Sequence, residues 1–196
     1  MWFCDFYDDE NTICSYEFEQ TPKISTYLYA LCAGPYTFFE DNDPMFPPQR
    51  AFVRNSLAEY LNHELIFGIT KTSICFYQKN FGQRYPFTKL DHVICPDYKY
   101  GAMENVACIT YADSIMCPSQ NMSIPQMTFF CIVVQNELCH MWFGNLVTMQ
   151  WWNDLWLTEA FATALSYYAC AAGGDYVDNF KKESWLHFAN YKRWGL

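Results

Sequence analysis

The chain has 196 residues, 52% of them hydrophobic and 20% aromatic, which places it among chains that bury a core and excludes general disorder. Its formal charge is −9, from 12 basic and 21 acidic residues, and no run of Lys or Arg exceeds two. Nucleic acid and anionic membrane surfaces are therefore poor partners, and no apolar run reaches the ~18 residues that a membrane span needs.

The N-terminal MWFCDFYDDE lacks a basic leader region and an unbroken apolar stretch, so it is not read as a signal peptide. The ten cysteines are scattered and form no Cys-x-x-Cys pair. Reduced thiols and a cytoplasmic location are the expectation. Residues 1–43 read as strands: Cys14–Gln20 and Ile24–Ala33 are rich in Ile, Thr, Tyr and Phe, with Thr21-Pro22 between them and Gly34-Pro35 at the end. Asp41 to Pro48, with its prolines and aspartates, reads as a linker. Ala51–Arg54 suits a short strand. Ser56 is then a candidate cap for a helix that runs to about Asn80 and can break near Gly68.

That helix opens with His63-Glu64-Leu65-Ile66, which begins like a zinc motif but has Phe67 where a second histidine would stand. A packing histidine is the expectation. Leu90–Cys95 and Val106–Tyr111 read as strands on either side of Gly101-Ala102-Met103-Glu104-Asn105. Asp113 to Pro125 reads as a loop and Gln126–Phe143 as a helix stopped by Gly144-Asn145. Trp151, Trp152 and Trp156 read as a packing block. Thr158 is a candidate N-cap for a helix over Glu159–Cys170, and Asp175 or Asp178 opens a last helix to about Tyr191.

The chemistry concentrates between Asn136 and Glu159. Glu137 and His140 form a helix-borne Glu-x-x-His, and Glu159 follows nineteen positions later. On a helix, positions 136 and 140 lie about 40° apart on one face and can reach one metal ion. Glu137 lies roughly 100° round from 136, placed to hold a water as general base, and Glu159 offers a hard oxygen from the next helix. A histidine at 136 would complete the signature; the chain has Asn136. Cys139, the adjacent thiol, lies about 80° from the mean ligand direction, towards the packing side.

The run HMWFGNLVTMQWWNDLWLTEAFA, with an intact Gly-Ala-Met-Glu-Asn upstream, resembles the aminopeptidase N and puromycin-sensitive aminopeptidase family of zinc metallopeptidases, the gluzincins. The resemblance implies an α+β fold: residues 1–43 as the end of a β-rich N-terminal domain, and 44–196 as the first part of a thermolysin-like catalytic domain. It implies zinc as cofactor, with His140 and Glu159 as ligands, Glu137 as catalytic base and Asn136 at the position of a missing histidine. Gly101, Ala102, Met103, Glu104 and Asn105 would bind substrate, a peptide with a free N-terminus. Its backbone would add to the strand edge, and its α-ammonium would meet Glu104. In the family, a tyrosine that stabilises the oxyanion comes from sequence past Leu196, and a second group for the α-amine from sequence before residue 1. With a carboxamide in place of imidazole, weak or lost catalysis is expected, with a pseudoenzyme that binds peptides or serves as a structural subunit as the alternative. An incomplete core also predicts apolar faces that a partner chain or a second copy covers.

Overall fold

A computed structural model describes residues 2–7, 13–18, 20–118 and 121–172 of the chain. The architecture is α+β, with a five-stranded mixed sheet, three long helices and a separate hairpin. The hairpin pairs β1 (Trp2–Tyr7) with β2 (Ile13–Phe18) antiparallel.

The main sheet takes β3 (Tyr36–Asp41), β4 (Gln49–Arg54), β5 (Leu90–Cys95), β7 (Cys108–Ala112) and β6 (Ala102–Met103), in that spatial order. β3 and β4 form an antiparallel pair around the Pro-rich turn, so residues on either side of position 43 share one sheet. β4 and β5 run parallel, which requires a long crossover, and α1 (His63–Phe81) supplies it. β5 is buried at every position but Cys95, as suits a central strand covered on both faces. β6 is short and lies at the edge.

Helix termini follow local chemistry. Residues 55–60 form a 3-10 turn, not the expected start of an α-helix at Ser56. α1 begins instead at His63, because the Asn62 side chain accepts from the Leu65 N–H at 3.0 Å. The helix passes through Gly68 unbroken and ends at Gly82, whose φ of 66° forms the left-handed cap. After β7, Asp113–Met116 is a short helix, α2, where a loop was expected. α3 (Ile124–His140) starts two residues earlier than expected, from a Ser123–Gln126 capping box. α4 (Leu155–Ala172) likewise starts before Thr158, whose hydroxyl donates to the Leu155 carbonyl inside the first turn instead of capping it. The helix expected over 175–191 lies outside the described residues.

The core joins Val53, Ile66, Ile74, Tyr77, Leu90, Ile109, Phe130 and Leu138, contributed by the sheet, α1 and α3. Two expectations are corrected. Ile24–Ala33 is not a strand: it holds a 3-10 turn at Thr26–Leu28. Its Leu28 carbonyl accepts from Val106 N–H at 3.2 Å and, like that of Tyr29, receives the Asn105 amide, so its polar groups go to a loop, not to a neighbouring strand. The three tryptophans are not core. Trp151 and Trp152, at the 3-10 turn before α4, and Trp156, in its first turn, are 69%, 52% and 64% exposed; among the described residues the buried tryptophan is Trp142, against Tyr77, Phe81 and Tyr85. His63 stacks on Phe39 with ring centroids 3.8 Å apart, a packing histidine as its sequence context implied.

Candidate active site

The last turn of α3 carries Asn136, Glu137 and His140; the first turns of α4 carry Glu159; and the turn after β6 carries Glu104. Glu104, Glu137 and His140 are all buried, and their ligating atoms lie within 4.8 Å of one another. Thus two motifs far apart in the sequence meet at one point. His140 Nδ1 donates to the Phe143 carbonyl at 2.9 Å, which leaves Nε2 as the basic nitrogen, 3.8 Å from Glu159 Oε2. The tight turn behind it depends on Gly144, whose φ of 125° suits glycine, and whose absent Cβ would come within 3.4 Å of His140 Nδ1.

Burial first, then the nearby carboxylates Glu104 and Glu159, push the Glu137 carboxyl up to about 8, against the pull of a hydrogen bond from the Asn136 amide at 3.2 Å. Burial likewise raises Glu159, although His140 opposes it.

Gly101 through Asn105 run along the edge strand β6 into the cluster. The Gly101 carbonyl accepts from Ala112 N–H, and Ala102 and Met103 pair with Tyr111 and Thr110. Glu104 is fixed through its backbone, since Asn145 Nδ2 donates to its carbonyl at 2.8 Å. Asn105 faces away from the carboxylates. Its Oδ1 accepts from Thr110, and its Nδ2 reaches the Leu28 and Tyr29 carbonyls, so it anchors segment 26–29 beside the site.

That anchoring brings in Tyr27, which sequence reading missed. Its hydroxyl is buried without a hydrogen-bond partner among the described residues, and its pKa rises to about 12 through burial and the charges of Glu104 and Glu159. Its ring meets Trp152 edge-on at 5.4 Å. The Ser-Thr-Tyr run was read as strand; only the tertiary fold brings it to the carboxylates. Asn145, read only as a helix stop, was also missed.

The family resemblance implies zinc; of the three positions it assigns as ligands, His140 and Glu159 carry donors that suit zinc and the third carries Asn136. His140 has the orientation of a ligand, with Glu159 near it. Asn136, at the third position, turns its amide N–H to Glu137, and a carboxamide is a poor donor to zinc. Cys139 offers no replacement: it is fully buried, and burial pushes its thiol up to about 12.

A helix-borne Glu-x-x-His with a carboxylate from the following helix is a metallopeptidase type of site. Residues 65–193 match the Peptidase family M1 domain, and the chain belongs to that metallopeptidase family. It is 40% identical over 184 residues to an aminopeptidase N of Streptomyces lividans, covering 91% of this chain and 21% of that protein. A leucyl aminopeptidase of Saccharolobus solfataricus is 37% identical over 161 residues, 82% of this chain and 20% of its own length. The Tricorn protease-interacting factor F2 of Thermoplasma acidophilum is 34% identical over 177 residues, 90% of this chain and 21% of its own. The chain spans about a fifth of the length of these relatives.

Proposed function

We propose that this chain is an aminopeptidase-type member of the M1 family that binds the free N-terminus of a peptide and hydrolyses it weakly or not at all. The observation that carries this reading is the placement of Asn136, whose amide is hydrogen-bonded to the would-be catalytic base Glu137. A peptide would add its backbone to the outer edge of β6, with Met103 beside it, and its α-ammonium would be drawn to Glu104. A primary ammonium suits a site that gathers Glu104, Glu137 and Glu159 around one imidazole. Zinc, where it binds in relatives, polarises the peptide carbonyl and acidifies water; in this chain the reading expects no zinc.

Domain division near residue 43, which the β3–β4 pair crosses, and a reducing, cytoplasmic setting belong to the same proposal, the second supported by Cys32, Cys75, Cys95, Cys108, Cys117, Cys131 and Cys139, none of which is in a disulfide. No helix among the described residues is long and apolar enough to cross a membrane.

The clustering of Glu104, Glu137 and His140 favours a second reading, a working metallopeptidase with an altered ligand set. Zinc stoichiometry of the purified chain beside its Asn136→His variant separates the two. The expected result is no zinc in the chain as it stands and one per molecule in the variant. In both, binding of a short peptide should be abolished by N-acetylation of that peptide. About one zinc per unmodified chain would refute the first reading and establish the second.

A further inference from the structure

Tyr27 brings to the site a hydroxyl that the fold itself does not use. Its segment is tied to the Glu104 turn: Val106 N–H donates to the Leu28 carbonyl at 3.2 Å, and Asn105 Nδ2 donates to the Leu28 and Tyr29 carbonyls at 3.4 and 3.3 Å. The Tyr27 hydroxyl oxygen lies 3.9 Å from the point that a Cβ on Gly144 would occupy, and His140 Nδ1 lies 3.4 Å from the same point. Asn145, the next residue, donates to the Glu104 carbonyl. The hydroxyl is thus placed where the Glu104 turn meets the end of α3, and it has no hydrogen-bond partner among the described residues. The bonds behind it have one direction. Carbonyls only accept, so Asn105 turns Nδ2 to segment 26–29 and Oδ1 to Thr110. Thr110 gives its proton to that Oδ1 at 2.9 Å, so its own oxygen accepts from the Tyr98 hydroxyl at 3.0 Å. Thr110 and Asn105 are both buried, and the relay they form holds the Tyr27 segment against the site.

We infer that Tyr27 is a second contact for the free amine of the ligand: its oxygen accepts one N–H of the α-ammonium while Glu104 accepts another. This contact rests on the reading that a peptide N-terminus binds at Glu104, and it makes the site select for N–H donors as well as for charge. A primary ammonium carries three N–H donors and no acceptor, so it suits a place where several oxygens converge. A buried hydroxyl without a partner is unfavourable, and an ammonium seated at Glu104 supplies the partner that the fold withholds. Burial and the charges of Glu104 and Glu159 keep the phenol protonated, so its oxygen meets the ammonium as a neutral acceptor. Glu159 is the exposed member of the group, whereas Glu104, Glu137 and His140 are buried, so the route for an entering amine runs past Glu159.

The test uses two amines on the full chain: leucinamide, and 3-methylbutylamine, which keeps the ammonium and the branched side chain but lacks the carboxamide. Both are titrated by calorimetry at pH 6, where both are protonated, into the unmodified chain and into Tyr27→Phe. Tyr27→Phe should bind each amine about tenfold more weakly. Its thermal midpoint should be unchanged or raised, because the variant removes only an unpaired oxygen. A merely structural tyrosine would do the reverse, lowering the midpoint and leaving the affinity of the folded chain alone. Thr110→Val, which takes the donor away from Asn105, should reproduce the loss, and Thr110→Ser should restore binding. Added to Tyr27→Phe, Thr110→Val should weaken binding no further. Equal affinity of Tyr27→Phe and the unmodified chain for both amines would overturn the inference. So would a loss confined to leucinamide, which would put the hydroxyl on the carbonyl instead. In both of those cases, leucinamide binding that N-acetylation abolishes leaves the Glu104 reading in place. If neither amine binds the unmodified chain, the Glu104 reading has failed and the Tyr27 contact falls with it.

Discussion

Glu137→Gln should stabilise this protein, and the gain should depend on pH. In the folded chain the Glu137 carboxyl has been raised from 4.5 to about 8, so at pH 7 it holds a proton that the unfolded chain has released. Retaining that proton against a solution 2.5 pH units above the unfolded pKa costs about 3 kcal/mol. The sign follows from linkage: a raised folded-state pKa contributes stability below pH 4.5 and loses it as pH rises through 8. Glutamine has nearly the same shape, carries no charge, and its Oε1 can still accept from Asn136. After allowing for burial of the new amide, a gain of about 2 kcal/mol is expected at pH 7. It should shrink towards zero near pH 4.5 and level off above pH 8. Urea denaturation of both proteins at pH 4.5, 7 and 8.5 measures it. A variant that is less stable at every pH, or a difference that does not change with pH, would refute the argument that buried acid is a liability here.

His92 tests the opposite sign. It is fully buried between Thr70 and Tyr111, and burial lowers its pKa to about 4. A depressed histidine gives stability that is full above about pH 6.5 and lost down to about pH 4, about 3 kcal/mol in all. In the Glu137→Gln background, denaturation across that window should show the loss, and His92→Leu should flatten it; an unchanged slope would count against it. Gly144→Ala should cost about 1–3 kcal/mol, since its φ of 125° disfavours a side chain and the new Cβ presses on His140. Thermal unfolding measures the cost, and the His140 ring signals in NMR should move with it; unchanged signals would show that the turn does not set the ring. Finally, the exposed face of Trp151, Trp156, Val147 and Phe161 should drive self-association. Sedimentation should show species above monomer, reduced by Trp156→Glu; a single monomeric species across a concentration series would refute it.

The parts of the fold readable from sequence were those whose signals are local. α3 carries its own capping box and ends in a glycine turn, and β5 carries β-branched residues between turn formers. The pairing of Glu104 with Glu137 and His140 was legible too, because two long motifs specified it, although neither shows a shared face by periodicity alone. What sequence could not show was set by distant partners. Tyr27 has the composition of a strand residue and becomes part of the site only because Asn105 holds the Leu28 and Tyr29 carbonyls. The tryptophans near α4 look like core on hydrophobicity. Whether they are covered depends on what packs against α4, and hydrophobicity carries no information about that.

The same distinction bears on Asn136. As a sequence letter, it is a missing ligand. In the folded site it is a neutral donor facing a carboxylate that two other carboxylates and burial have made hard to ionise. One amide hydrogen bond lowers the Glu137 pKa, but burial, Glu104 and Glu159 outweigh it, so the site retains more acid than it can ionise at neutral pH. A bound cation relieves this at once, because each carboxylate it faces becomes easier to ionise. A dication needs several donors with fixed geometry, and Asn136 offers a carboxamide where the family resemblance implies an imidazole. An α-ammonium needs only a carboxylate within reach, which on the proposed reading Glu104 provides beside the buried Tyr27 hydroxyl. On the proposed reading, the electrostatic demand for a peptide N-terminus therefore does not depend on residue 136, and binding should outlast hydrolysis.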